Sequence, residues 1–591
     1  MMKKLRLAFT VLALAFGLCA CNTDNGSVVS FNVIKPSVSK KDMPVYICDT
    51  EYMSTMPVYF IGDSDVPYIS LEDWAELYPE LVIYDEGSDE GITYSLDYSI
   101  NGDVAVLTRK DGEAYTMTVD CKKDTITFDD YDAFMRISED RILLDILTSD
   151  DHKSDDDHVF FKRVPGSYER YGNELVINAK DYGIDFVSDG KTCYVPLQTL
   201  CDFLLSCRYM NPIYNKEEVC FIQYGTLFDE ETGEPTEIGK MAYSVKPEKV
   251  SESMAKFSYA ELCLAFDNLY GLKEAHGIER FDDLTDQCGL KEMFLSTDTN
   301  DVDEALYNII ELHLDDSHSG MIFPSPFSGE VTVDSLREDV GTGRSNDALQ
   351  MQIEKFYKAR EKFYRNGTPC YEEVGNTAYI TFDNFETIPP ETDYYETAPD
   401  SKATDTIGIM IYAYSQIMRK DSPVENVVLD LSNNTGGDAD TAIFVLSSFL
   451  GDGYGSLKNT MTGALSTGVY NVDINLDGKF DEKDRGLTDK KRFCLISPVS
   501  FSCGNMVPNV FKNSHDVTLI GQTSGGGSCI VLPLTTASAS YFQISGPSRL
   551  AFTKNGSFYD IDQGADPDYI ITFPEDYYDR KALTEYINGL K

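Results

Sequence analysis

The sequence predicts an α/β catalytic core, preceded by a helical segment and an N-terminal α+β accessory domain. Three observations predict it. From Cys370 to about residue 580, short apolar runs alternate with helical patterns, the order of an α/β layer structure. Between Val250 and about Leu314 the apolar residues fall at helical spacing. Before them, about residues 42–225 hold short alternating strands and turn signals.

The core elements follow in order: strand Ala378–Phe382, helix Ile407–Met418, strand Val427–Leu431, helix Ala439–Phe449, strand Phe493–Ile496, helix Asn505–Lys512 and strand Val517–Ile520. In the helical segment, residues 250–325, Leu262, Leu264, Ala265 and Leu269 share a face, as do Ala305, Leu306, Ile309, Ile310 and Leu312. Residues 326–350 carry Ser, Gly, Asp and Arg without periodicity, which predicts a loop. In the accessory domain a strand–turn–strand–helix plan over about 44–78 recurs weakly over 181–206, with strands such as Ala105–Thr108 and Tyr115–Val119 between the copies.

The chain has 591 residues, 42% hydrophobic and 12% aromatic, enough to bury large cores, so disordered and fibrous classes are excluded. The formal charge of −48 repels phosphate backbones and argues against a nucleic-acid partner. Met1–Arg6 is basic, Leu7–Phe16 is largely apolar, and small residues follow, as in a secretory signal too short to span a bilayer. Leu18–Cys19–Ala20–Cys21 looks like a bacterial lipobox, which implies cleavage after residue 20 and a lipid on Cys21. Residues 21–41 then read as a tether, and the expected location is the extracytoplasmic side of a bacterial membrane. Twelve further cysteines form no C-x-x-C pair, which excludes a zinc ribbon and leaves disulfide pairing open.

Chemistry concentrates in three blocks. The strand Phe493–Ile496 runs through Ser500–Phe501–Ser502–Cys503–Gly504 into a helix, placing Ser502 near free helix amides, as in a nucleophile elbow, although G-x-S-x-G is absent. The strand Val427–Leu431 empties through Ser432–Asn433–Asn434–Thr435 into Gly436–Gly437, where small residues let backbone amides approach a ligand. Phosphate-loop glycine patterns are absent. Leu314–Asp315–Asp316–Ser317–His318 ends the helical segment, and His318 is the best placed of six histidines to reach a site.

Together these blocks resemble the tail-specific, or C-terminal-processing, serine peptidase family over roughly residues 255–575. Its D-L-R-x-N-x-G-G-like strand end, T-x-S-x-x-E-like nucleophile turn and G-x-x-T-x-G-x-G turn appear in the same order, the last as Gly521–Gly527. The resemblance implies a crotonase-like ββα-type core, Ser502 as nucleophile, and an oxyanion hole from the amide of Cys503 and one of Gly436 or Gly437. The Ser/Lys branch has its lysine in T-x-G-K-G, where this chain has Gly526. The tricorn-like branch takes a histidine from an L-x-D-x-H-like turn. That implies His318 as general base, with Ser317 helping to orient it, and an acid just before a G-V-x-P-D-like segment. Asp562 is the expected acid and Asp560 the second choice. No usual PDZ segment is apparent between residues 320 and 370.

The expected function is therefore a membrane-anchored serine peptidase acting on peptide or protein substrates, without a catalytic cofactor. The alternative is a non-catalytic peptide- or ligand-binding lipoprotein on the same fold. Independently, Asp473, Asn475, Asp477, Asp481 and Asp484 occupy positions 1, 3, 5, 9 and 12 of a twelve-residue loop, with Gly478 at position 6 and the carbonyl of Lys479 at 7. This resembles a dockerin-type loop and predicts structural Ca²⁺ over 473–484.

Overall fold

Alternate residues of the strands around Val427–Leu429 and Phe493–Ile496 face two different cores, which is why both read as unbroken apolar runs. In a computed structural model of the chain they lie in the middle of a six-stranded sheet. Its order is Tyr371–Val374, Thr377–Thr381, Asn426–Asp430, Lys491–Ile496, Thr518–Gly521, Tyr569–Ile570. The first pair is antiparallel and the remaining pairs are parallel. Val427, Leu429, Cys494 and Ile496 pack toward helices Thr406–Ile417, Ala439–Leu450 and Cys503–Ser514. Val428, Phe493 and Leu495 pack instead with Phe356, Tyr577, Leu583 and Ile587 of helices Arg344–Glu361, Glu575–Tyr578 and Arg580–Gly589. Three neighbouring parallel strands thus deliver their C-terminal loops to one edge, where ligands collect in such sheets.

The structure describes residues 37–590 except 86–93, 111–113, 137–159, 165–173, 229–234, 244, 330, 390–391, 552, 555–556 and 559. The expected signal segment 1–20, Cys21 and most of the tether lie outside the described residues. The tether's last residues do not continue it, because a strand begins at Val38 and runs to Ile47.

A second, antiparallel sheet orders Gly320–Phe323, Tyr541–Ala551, Gly453–Asn459, Leu465–Val472 and Phe161–Arg163, with Cys529–Thr535 also on Tyr541–Ala551. The Phe161–Arg163 strand comes from the expected accessory domain, yet it pairs with Tyr470–Val472. Gln198 Nε2 donates to the Thr535 carbonyl (2.8 Å), and Asn211 Nδ2 to that of Pro533 (3.0 Å). The front region is thereby built into the same compact unit, Val38–Lys591, as the core.

That front region holds a five-stranded meander, Leu96–Asn101 to Leu175–Asn178, and a seven-stranded sheet. In the larger sheet the two copies of the repeated plan meet. Cys193–Pro196 pairs antiparallel with Tyr68–Ser70, and each strand leads straight into its helix, Leu197–Leu204 or Leu71–Asp85. Tyr182–Phe186 is not the strand the repeat predicts; Ala179–Tyr182 is a 3-10 turn and Val187–Ser188 a short strand.

The expected loop at 326–350 is a correction. It contains helix Val333–Val340, begun by a capping box between Thr332 and Ser335, and the start of helix Arg344–Glu361. The second helix buries only Phe356, Ala359 and Arg360, so its apolar stripe is too sparse to show as periodicity. Among the described residues, no helix is long and apolar enough to cross a membrane. Among the described residues, none of the twelve cysteines after Cys21 is in a disulfide.

Candidate active site

Ser502 has φ +55° and ψ −122°, a strained conformation for a residue with a side chain. It sits one residue before helix Cys503–Ser514, and its side chain caps nothing. Neighbouring bonds enforce the strain. The Ser502 amide donates to the Gly526 carbonyl (2.9 Å), and the Ser502 carbonyl accepts from Asn505 and Met506 (2.8 Å each). Two more serines lock the turn to the glycine loop: Ser500 Oγ donates to the Leu431 carbonyl (2.7 Å) and Ser497 Oγ to that of Ser432 (2.6 Å).

The glycine loop lies against the nucleophile. Gly436 and Gly437 have φ +110° and +122°. A Cβ on Gly436 would stand 2.6 Å from Ser502 Cβ, and one on Gly437 would stand 2.4 Å from the Phe385 carbonyl oxygen, so neither position tolerates a side chain. The Gly436 amide is already committed to Asn434 Oδ1 (2.9 Å), and its carbonyl accepts from the Phe385 amide (2.7 Å). Among the described residues the amides of Gly437 and Cys503 donate to no protein acceptor. Of the two glycines left open by the sequence, Gly437 is the one with a free donor.

Behind this loop, Asp430 Oδ1 accepts from the Ser432 amide (2.9 Å) while Oδ2 accepts from Arg580 Nη2 (2.6 Å). Arg580 is buried, stacks on the Tyr379 ring (4.4 Å) and also reaches Glu372 (3.1 Å).

His318 arrives from a different layer. Helix Thr299–Asn308 ends in the π-helical turn Ile309–Leu314, Asp315 adopts φ +49°, and the His318 turn leads into strand Gly320–Phe323. The imidazole is buried and lies 4.6 Å, centroid to centroid, from the ring of Phe501, next to the nucleophile. No hydrogen bond joins it to Ser502 Oγ. Burial lowers its pKa, and the carboxylates of Asp316 and Asp562 act in the opposite direction.

Asp562 and Asp560 have different surroundings. Asp560 is paired with Arg549 (2.7 Å) and accepts the Asp562 amide. Among the described residues Asp562 takes only the Ser528 amide (3.2 Å), and its charge reaches His318. Position 526 has no room for the lysine of the Ser/Lys branch, since a Cβ there would stand 2.2 Å from the Asp562 carbonyl oxygen. Five chain segments thus meet: Gly436 on Ser502, Ser502 on Gly526, Gly526 on Asp562, and His318 near both Asp562 and Phe501.

Among the described residues Ser317 has no side-chain hydrogen bond, so the expectation that it orients the imidazole finds no contact. The residue that organises the turn is Asp316, which lay inside the quoted motif but was assigned no role. Asn434 and Phe501 also lay inside the quoted blocks without a role: the Asn434 side chain accepts from the Gly436 amide and donates to the Phe382 carbonyl, and the Phe501 ring lies against His318.

The expected calcium loop is wound with Gly478 at φ +71°. Its carboxylates serve the loop itself: Asp473 accepts from Asp477 (3.2 Å), Gly478 (2.7 Å) and Tyr395 (3.0 Å), and Asp484 from Asn475 (2.8 Å). Asp481 caps the following 3-10 turn, the Lys479 amide donates to Asp477, and Lys483 pairs with Asp477 (3.0 Å). Among the described residues, no group of three or more His, Cys, Asp or Glu side chains converges to hold a metal.

Residues 376–571 match the model of peptidase family S41. That span includes Gly436, Gly437, Ser502, Cys503 and Asp562, and excludes His318. A curated Chlamydia pneumoniae protein is 29% identical over 145 residues, and the match spans 23% of this chain and 23% of that relative. Among solved structures, a peptidase from Parabacteroides merdae is 17% identical over 57% of this chain and 96% of its own, at a TM-score of 0.38. Mature CPAF bound to lactacystin is 11% identical over 57% and 97%, at 0.35. A Streptococcus agalactiae lipoprotein is 14% identical over 58% and 98%, at 0.33. Residues 376–571, about a third of the chain, are thus similar to peptidase family S41.

Proposed function

We propose that this chain is a serine peptidase that cleaves peptide bonds through an acyl-enzyme on Ser502. The observation that carries the reading is the strained Ser502 elbow at a helix start, with the free Gly437 and Cys503 amides beside it. In this reading His318 takes the Ser502 proton as Oγ adds to the scissile carbonyl, and the two amides receive the oxyanion. Collapse expels the amine, which takes the proton back from His318. Water then attacks the ester by the same proton route, freeing the acid and Ser502. Asp562 faces the imidazolium as it forms. The core would be of the crotonase-like ββα type, and substrates would be peptides or proteins.

A fluorophosphonate probe tests it: wild type should label, and Ser502→Ala should not. The missing Ser502–His318 hydrogen bond favours a second reading, a binding protein that kept the fold without turnover. Catalytic hydrogen bonds often tighten only on substrate binding, so we rank it second. Absence of labelling and of peptide hydrolysis in folded wild type would establish that reading instead.

Two further proposals rest on sequence. Cys21 carries a lipid that holds the protein on the outer face of a bacterial membrane; Cys21→Ala should release it into the soluble fraction. Ca²⁺ binds 473–484 by drawing the carboxylates inward and displacing Lys483 from Asp477. Calorimetry with and without Ca²⁺ should then show a higher melting temperature that Asp473→Ala abolishes.

A further inference from the structure

Among the described residues, the most heavily used carboxylate near the site is neither Asp562 nor Asp560. Asp316 Oδ1 accepts from the His318 amide (3.0 Å), the Ser319 amide (3.0 Å) and Ser545 Oγ (2.8 Å). Its Oδ2 accepts from Ser319 Oγ (2.7 Å) and Tyr270 Oη (2.8 Å). One side chain therefore ties the His318 turn to strand Tyr541–Ala551 and to the end of helix Glu252–Leu269. Two other contacts hold the same joint: Gln543 Nε2 donates to the His318 carbonyl (2.9 Å), and the Gly271 amide donates to that of Ser545 (2.8 Å).

The network reaches the surface. Tyr270 is buried, and its hydroxyl lies between Asp316 and Nδ1 of exposed His276 (3.1 Å). Because Tyr270 has one proton and gives it to Asp316, His276 Nδ1 must donate to the phenol oxygen. A chain of donors thus runs from His276 through Tyr270 to Asp316 and ends beside the imidazole.

We propose that Asp316 is the positioning carboxylate of His318, fixing the turn that aims the imidazole and supplying a negative charge for the imidazolium to face, with Tyr270 and His276 setting how much of that charge is left. The inference rests on the peptidase reading, in which His318 is the base. Five accepted bonds hold the Asp316 carboxylate in one orientation, whereas among the described residues Asp562 accepts a single long one. The other ionisable groups around the imidazole are the carboxylate of Asp562 and, one layer out, the buried thiol of Cys529 and the Asp560–Arg549 pair. The direction is explicit: burial disfavours the imidazolium and Asp316 favours it, so removing the Asp316 charge must leave a weaker base.

The experiment compares wild type, Asp316→Asn, Tyr270→Phe and Asp562→Asn, each by kcat and KM against pH. The titration of His318 is followed by nitrogen NMR in ¹⁵N-histidine protein carrying Ser502→Ala. Asp316→Asn should lower kcat by about tenfold or more with KM within about twofold, and move the imidazole titration to lower pH. Tyr270→Phe leaves the Asp316 charge unshared and should move it to higher pH, in a protein that melts as a folded unit. An unmoved titration in folded Asp316→Asn, with kcat within about twofold of wild type, overturns the proposal. Should Asp316→Asn fail to fold, Tyr270→Phe decides it, since an unmoved titration there overturns it equally. Retained turnover in His318→Ala would sink the peptidase mechanism instead, a result the NMR titration does not depend on.

Discussion

The nucleophile turn and the base turn of this protein are held by different physics. Around Ser502 the contacts are neutral and largely backbone: the Gly526 carbonyl, the Asn434 carbonyl on the Phe501 amide (3.1 Å), and serine hydroxyls on the Leu431 and Ser432 carbonyls. Around His318 a single carboxylate, Asp316, gathers five donors from three segments. The first turn stores strain in φ and ψ, and acid or salt has little hold on it. The second stores charge beside a titrating ring, so pH acts on it directly.

The largest expected effect probes both turns at once. If the two act as one catalytic unit, Ser502→Ala and His318→Ala should each lower kcat by several orders of magnitude, on the order of 10⁴-fold or more. The double variant should be no worse than either single. Stopped assays at high enzyme concentration measure this, and additive losses would separate the two turns and remove the shared mechanism. Next is Gly436→Ala. Its Cβ would stand 2.6 Å from Ser502 Cβ in a backbone at φ +110°, so the oxyanion loop must withdraw. We expect a loss in kcat of about 10²–10³-fold, the scale of removing one oxyanion donor, with KM nearly unchanged. The equivalent change at exposed Gly463, φ +71°, should cost stability without that selective loss in kcat.

Much of the nucleophile side was legible in the sequence. The apolar runs of Val427–Leu431 and Phe493–Ile496, each followed by small residues and a helix, describe a local plan that a strand–turn–helix unit needs. The base side was legible only as a motif. His318 could be chosen from six histidines, but Tyr270 and Ser545, which hold Asp316 of its turn, are 48 residues before it and 227 after it in sequence. Nothing local marks them. Ser317 was given the orienting role because adjacency is visible in sequence, whereas the direction in which a side chain leaves a turn is not. Arg344–Glu361 was missed because it buries only Phe356, Ala359 and Arg360, all near its C-terminal end, and the front region's strand Phe161–Arg163 because pairing with Tyr470–Val472 is non-local.

A third prediction sharpens the contrast by removing a charge-held support from the neutral side. Asp430 and Arg580 are both buried and bonded at 2.6 Å, directly behind the Ser432 amide. Arg580→Leu would leave Asp430 without its cation, and breaking one half of a buried pair costs about 3–5 kcal/mol. Urea unfolding should show that loss, together with reduced activity in the protein that remains folded. An unchanged midpoint would mean the glycine loop stands without ionic support.

The smallest expected effect concerns carboxyl groups that lack the donors Asp316 enjoys. Asp202 and Glu261 are buried together where helix Leu197–Leu204, helix Glu252–Leu269 and strand Cys529–Thr535 meet. Gln198 donates to Asp202 (2.7 Å) and Thr199 to Glu261 (2.6 Å), while among the described residues nothing donates to Glu261 Oε1. Burial is the main reason the Glu261 pKa rises from 4.5 to about 7, and burial followed by the charge of Glu261 pushes Asp202 well up. Both groups therefore hold protons in the folded state that the unfolded chain has already released. The folded state binds more protons between about pH 4.5 and 7, so stability from this pair is full below that window and falls as pH rises through it. Buried Cys201 and Tyr68 beside the pair are neutral throughout that range, burial having raised both, and add no opposing charge. Melting temperature measured from pH 5 to 8 should decline by a few degrees through this pair, and Glu261→Gln should flatten that part of the decline. An identical slope in wild type and Glu261→Gln would show that the pair shares no proton.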